Sequence, residues 1–194
     1  MINEKENWKP GNMIYPLPAV MVSCAGKDKK ANIITIGWTG TICTNPPMCY
    51  ISVRPERYSH HLINETKEFV INLTTKDLAK ACDYCGVKSG KYEDKFEKTK
   101  LHKGEAKELN YAPIINESPV NIECKVKEVK KLGSHHMFIA DVVNVQVNKE
   151  ALNDKGKFEL NKTGLITYSH GEYFLLGKSL GTFGYSVKKK KKRK

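Results

Sequence analysis

The chain has 194 residues, 40% hydrophobic and 28% charged, which is enough apolar material for one folded domain and too much for a disordered chain. No run approaches the roughly 18 uninterrupted apolar residues that span a bilayer, and Met1-Ile2-Asn3-Glu4-Lys5-Glu6 lacks the apolar stretch of a secretion signal, so a cytoplasmic protein is expected. The formal net charge of +12 is mostly a tail, because Lys188 to Lys194 are all Lys or Arg and without those seven residues the charge is +5. Residues 188–194 therefore read as a solvated, disordered basic segment after a single domain over 1–187. With no secretion signal, the six cysteines read as reduced thiols.

In chain order, Tyr15 to Ala25 is apolar and valine-rich and predicts a strand ending at the polar turn Gly26-Lys27-Asp28-Lys29-Lys30. Ala31 to Trp38, with β-branched Ile33, Ile34, Thr35 and Ile36, is its hairpin partner. Asn45-Pro46-Pro47 imposes an extended or turning path, because each proline fixes φ and biases the residue before it away from helix. Met48 to Val53 is a third strand, and Ser59 is placed to cap a short helix carrying Leu62 and Ile63. Glu68 to Leu73 returns as strand. Thr75 opens a helix in which Leu78, Cys82 and Cys85 share a face and which Gly86 closes. Lys88 to Lys100 is a charged loop with one helical turn around Phe96.

Val120 to Lys130 and His136 to Val147 are long strands joined around Gly133-Ser134, and Leu165 to Tyr168 pairs with Tyr173 to Leu176 around His170-Gly171. A chain mainly of strands with few, short helices predicts a closed or nearly closed barrel, since closure removes exposed sheet edges.

Chemistry concentrates between Asn32 and Ile63. Trp38-Thr39-Gly40-Thr41 and Ser52-Val53-Arg54-Pro55-Glu56-Arg57-Tyr58-Ser59-His60 offer hydroxyls, backbone N–H groups, arginines and a helix N-terminus, the donor set a phosphate monoester needs. On chemistry alone, the same threonines and serine would serve equally well to finish turns and cap a helix.

The segments Asn32-Ile33-Ile34-Thr35-Ile36-Gly37-Trp38, Asn45-Pro46-Pro47, Ser52 to Ser59 and Glu68-Phe69-Val70-Ile71-Asn72-Leu73 resemble, in order, successive blocks of the flavin-reductase-like, FMN-binding split-barrel family. Cys85-Gly86-Val87-Lys88-Ser89-Gly90, Asp94-Lys95-Phe96 and Leu176 to Gly184 resemble its flavoredoxin branch. The resemblance implies a six-stranded Greek-key split barrel, assembled as a homodimer, with FMN held noncovalently near the subunit boundary. Carried over residue by residue, Trp38, Thr39, Gly40 and Thr41 would border the isoalloxazine edge. Ser52, Val53, Arg54, Arg57, Ser59 and His60 would hold the ribityl chain and phosphate, with Ser89 and Lys95 reaching in from the later loop.

The implied activity is electron transfer between NAD(P)H or a redox protein and flavin or a downstream acceptor. The redox chemistry itself belongs to the cofactor. No Gly-x-Gly-x-x-Gly lies between a strand and a helix, so a nicotinamide would reach the flavin without a Rossmann domain.

Other signals are weaker. Cys82-Asp83-Tyr84-Cys85 has dithiol spacing, but it falls near a predicted helix C-terminus, where the dipole disfavours a thiolate, so a buried apolar face is expected. Cys24, Cys43, Cys49 and Cys124 are dispersed, and His60-His61 and His135-His136 are adjacent pairs that make no clamp, so no metal is expected. His170 reads as an exposed turn residue. Two further readings stand beside the oxidoreductase: a flavin-binding or storage protein without turnover, and, ranked below both, a nucleic-acid-binding barrel acting through the basic tail. Pyridoxamine-phosphate oxidation on a related barrel is disfavoured by the flavoredoxin-like glycines near the C-terminus.

Overall fold

Most of the chain pairs as antiparallel strands in the computed structural model, which describes residues 3–188. The first half holds β1 (Leu17–Pro18), β2 (Val20–Ala25), β3 (Ala31–Ile36), β4 (Thr39–Thr44), β5 (Pro47–Val53), α1 (Tyr58–Thr66) and β6 (Glu68–Leu73). A 3-10 turn at Lys76–Leu78 leads into α2 (Ala79–Val87), and α3 (Lys95–Thr99) follows. The second half holds β7 (Lys103–Gly104), β8 (Ile114–Ile115), β9 (Val120–Leu132), β10 (His135–Val147), β11 (Ile166–Ser169) and β12 (Glu172–Leu175). The basic tail beyond Lys188 lies outside the described residues.

The main sheet runs β3-β2-β6-β9-β10-β5-β4, and small sheets β1-β11-β12 and β7-β8 flank it. Six of the seven strands, all but β4, supply the inner core, among them Val22, Ile34, Ile51, Phe69, Cys124 and Phe138, with Leu62 and Ile63 of α1 plugging one end. Because β3 and β5 share this core from opposite ends of the sheet order, the sheet is curled into a six-stranded barrel split between them. The connection through α1 returns β6 to the side of β2, the Greek-key step. β4 extends the rim by pairing outside β5.

A second core lies outside the barrel wall. There Met21 and Ile33 face Leu78, Cys82 and Cys85 of the α2 region and Phe96 of α3. Burying each large apolar side chain contributes about 1.5–3 kcal/mol. The Leu78/Cys82/Cys85 face is therefore a packing surface, as its spacing predicts.

Three local expectations change. Thr39 and Thr41 do not finish a turn, since Thr39 to Thr41 pair with Ile51 to Cys49 in β4. Ser59 does not cap α1: Arg57 holds that position without a side-chain bond, and the buried Ser59 Oγ instead accepts from Asn32 Nδ2 at 2.8 Å. Gly86 does not close α2, which continues to Val87; a Cβ on Gly86 would stand 3.2 Å from Thr35 Cβ, so the glycine eases the close approach to β3.

Two buried carboxylates organise the loop before β8. Glu68 accepts from the N–H groups of Asn110 and Tyr111, and Glu123 from those of Lys107 and Glu108 together with the Asn144 and Gln146 amides.

Candidate functional site

The split between β3 and β5 opens as a cleft of about 480 Å³, within the roughly 300–1,000 Å³ of ligand sites. Ile34, Thr35, Gly37 and Trp38 line one wall, Ser52, Val53 and Arg54 the other, and Gly86, His135, Tyr168 and Tyr173 enclose it further. A smaller chamber of about 180 Å³ continues inward, sharing Ile34, Glu56 and Arg57 and lined also by Asn32, Ser59, Lys88, Ser89, Gly90 and Lys95.

The chemistry of the inner chamber follows from the C-terminus of α2. The last carbonyls of a helix lack intrahelical partners and carry the negative end of its dipole. Here Lys95 Nζ donates to Cys85 O at 2.7 Å, and the Arg57 guanidinium donates to Gly86 O. Lys95 also donates to Ile33 O at 2.8 Å. It is aimed there because Asp94 caps α3, accepting from Phe96 N at 2.9 Å and Glu97 N at 3.3 Å.

Two cations are thus set side by side. No carboxylate among the described residues lies within salt-bridge reach of either one. Lys95 is 3% exposed, and burial, reinforced by the Arg57 charge against the opposing pull of the Cys85 and Cys24 thiols and Glu93, brings its pKa down to about 8. A buried cation such as Lys95 without a paired carboxylate is costly, and an anion seated between it and the half-buried Arg57 relieves that cost. Ser59 and Ser89 add hydroxyl groups. The donor set therefore fits a terminal phosphate. The wider, more apolar outer cleft fits a ring system, with Trp38 and His135 packed 4.3 Å apart and Tyr168 and Tyr173 5.5 Å apart between ring centroids.

Of the residues singled out from sequence, Trp38, Ser52, Val53 and Arg54 line the outer cleft, Arg57 both chambers, and Ser59, Ser89 and Lys95 the inner one. Four others are not brought to either. Thr39 Oγ1 donates to Tyr50 O at 2.6 Å, Gly40 lies against the Tyr50 ring, Thr41 is exposed on β4, and His60 turns to His136 with 2.9 Å between ring nitrogens. Sequence reading missed Asn32 as a chamber wall, and His135, Tyr168 and Tyr173, which lie far along the chain from the motif and reach the cleft through strand pairing.

Cys82 and Cys85 face the packed interior, and burial raises both thiols, Cys85 to about 12. His170 is an exposed turn residue at φ 52°.

A split barrel with a ring-sized cleft and a cationic inner chamber defines a flavoprotein class, and the chain belongs to it: residues 13–176 match the flavin reductase like domain family. Within that family the chain is similar to flavoredoxins of known structure. That of Desulfovibrio vulgaris (Miyazaki F) is 28% identical with a TM-score of 0.88, covering 95% of this chain and 100% of that one. That of Methanosarcina acetivorans is 27% identical with a TM-score of 0.86, covering 96% and 100%. An uncharacterized protein of Archaeoglobus fulgidus is 30% identical over 166 residues, 86% of this chain and 91% of the relative. Flavin-binding electron transfer is the general chemistry of this family and fold. Among the described residues, no helix is long and apolar enough to cross a membrane.

Proposed function

We propose that this chain binds FMN noncovalently and, as a homodimer, carries electrons between NAD(P)H or a redox-protein donor and free flavin or a downstream acceptor. The observation that carries the reading is the inner chamber, where Lys95 and Arg57 stand together with no carboxylate of the described residues within salt-bridge distance of either and Ser59 and Ser89 supply hydroxyls. Lys95, Arg57, Ser59 and Ser89 would hold the phosphate. Trp38, Ser52 and Tyr168 would border the ring, and bound FMN would supply the redox chemistry.

The chain's own residues bind and orient. The α2 carbonyls fix both cations before a ligand arrives, so little side-chain ordering remains to be lost on binding. Arg54, paired with Glu56 at 3.5 Å, borders the mouth, where a nicotinamide donor would enter beside His135. Exposed apolar side chains at both ends of the chain, Trp8, Met13 and Ile14 and then Phe174, Leu180 and Phe183, support a second copy as their cover.

The test is the visible spectrum of the purified protein, with the flavin released by heat then identified and NADH or NADPH added anaerobically. Flavin bands that bleach with nicotinamide support the reductase; bands that bleach only with dithionite leave a carrier fed by another protein, or a flavin store. A colourless protein that fails to take up FMN overturns the reading.

A further inference from the structure

His60 and His136 stand just outside the flavin chambers and join their two sides. His60 lies in the first turn of α1, where its backbone N–H donates to Arg57 O at 2.9 Å and its sequence neighbour is the buried Ser59. His136 sits at the start of β10, paired with Val53 of β5 and adjacent to His135 on the cleft wall. Their ring nitrogens, His60 Nε2 and His136 Nδ1, are 2.9 Å apart, and the His60 ring also meets Phe138 edge-on at 5.3 Å.

An imidazole-to-imidazole hydrogen bond needs one nitrogen with a proton and one without. With both rings protonated, both facing nitrogens carry hydrogens and the two cations repel.

Resting on the FMN reading, we propose that His60 and His136 are positioning residues, forming a latch that holds the phosphate-binding first turn of α1 against the barrel, so that double protonation loosens phosphate binding. The turn carries Arg57 and Ser59, so a displacement of His60 moves both. His60 also feels His61 of its own helix, Lys67 just past the helix end and Glu56 before it, while Lys131 of β9 stands opposite His136 in register. Burial and the His136, His61 and Lys67 charges favour neutral His60, and Glu56 opposes them.

The sign distinguishes this role from direct contact. A histidine touching the phosphate would strengthen binding on acidification, whereas the latch weakens it.

The experiment measures FMN affinity of the full chain by quenching of flavin fluorescence between about pH 8 and pH 5.5, for wild type and for His136→Gln, which keeps a donor and an acceptor but takes no charge. The phosphate's own ionisation near about pH 6 is common to both proteins, and riboflavin, which lacks the phosphate, serves as control. Wild type is expected to lose about three- to tenfold more affinity than the variant on acidification, the worth of one hydrogen bond, with no such difference for riboflavin. His60→Gln gives the same comparison should His136→Gln fail to fold.

Superimposed profiles, or a wild-type affinity that rises on acidification, overturn the latch and leave FMN binding intact. Absence of FMN binding at every pH overturns the FMN reading and the latch with it.

Discussion

Replacing Lys95 by methionine removes a buried cation that no carboxylate of the described residues pairs with in a salt bridge. If Lys95 meets the phosphate, the charge-assisted hydrogen bond lost is worth about 1.5–3 kcal/mol, roughly a ten- to 150-fold weakening of FMN at neutral pH. The wild-type pH dependence is sharper. Without ligand Lys95 releases its proton near about 8, whereas a bound phosphate dianion holds the proton on. FMN affinity should therefore fall about tenfold between pH 7 and pH 9, at 1.36 kcal/mol per unit.

Stability without ligand runs the other way. The folded pKa lies below the ordinary 10.5, so between about 8 and 10.5 the unfolded chain binds more protons and stability rises with pH, by up to about 3 kcal/mol. Titration of FMN fluorescence and urea unfolding across that range measure both slopes, and Lys95→Met should abolish both. A variant that binds FMN as tightly as wild type, or retains the alkaline slope, refutes the assignment of Lys95 to the phosphate.

Three further outcomes are expected. Glu123→Ala strands the Lys107 and Glu108 N–H groups and two side-chain amides, and should cost about 3 kcal/mol or more, lowering the melting temperature by roughly 6–12 °C. Burial works against the Glu123 charge, but its four hydrogen bonds outweigh it and lower the pKa. Its stabilisation is thus present above the unfolded carboxylate value and lost as pH falls through the folded one, which acid unfolding of wild type against Glu123→Gln would show. Gly90→Ala places a Cβ in overlap with Asn32 Oδ1, disturbing the Asn32–Ser59 bond, and should weaken FMN severalfold more than riboflavin while circular dichroism is unchanged. In the folded protein only the half-buried Cys43 should react promptly with a thiol reagent, with all six cysteines reacting after denaturation; rapid labelling of Cys82 or Cys85 would contradict their packed, high-pKa environment.

Much of the fold was legible because it rests on short-range pattern. Glu68–Leu73 is bounded as its apolar run suggests, and the long hairpin around Gly133-Ser134 follows from alternation on either side of a turn glycine. Half of the site was legible for a similar reason, since Ser52 to Ser59 is contiguous and its hydroxyls and arginines stay near one another however the chain folds. Misreadings occurred where a tertiary partner outbid a local one: Asn32 took the Ser59 hydroxyl from its capping role, and Tyr50 took the Thr39 hydroxyl.

By itself the sequence determined the class of most of the longer elements, the family, and the phosphate-friendly residues between β5 and α1. Only the tertiary structure decided which of these face one cavity. Side chains alternate across a strand, so the register of β10 against β5 sends His135 to the cleft and His136 to the latch. Lys95 becomes a partner of Arg57 because both satisfy the unpaired carbonyls at the end of α2, a demand that exists only once that helix is packed against the barrel.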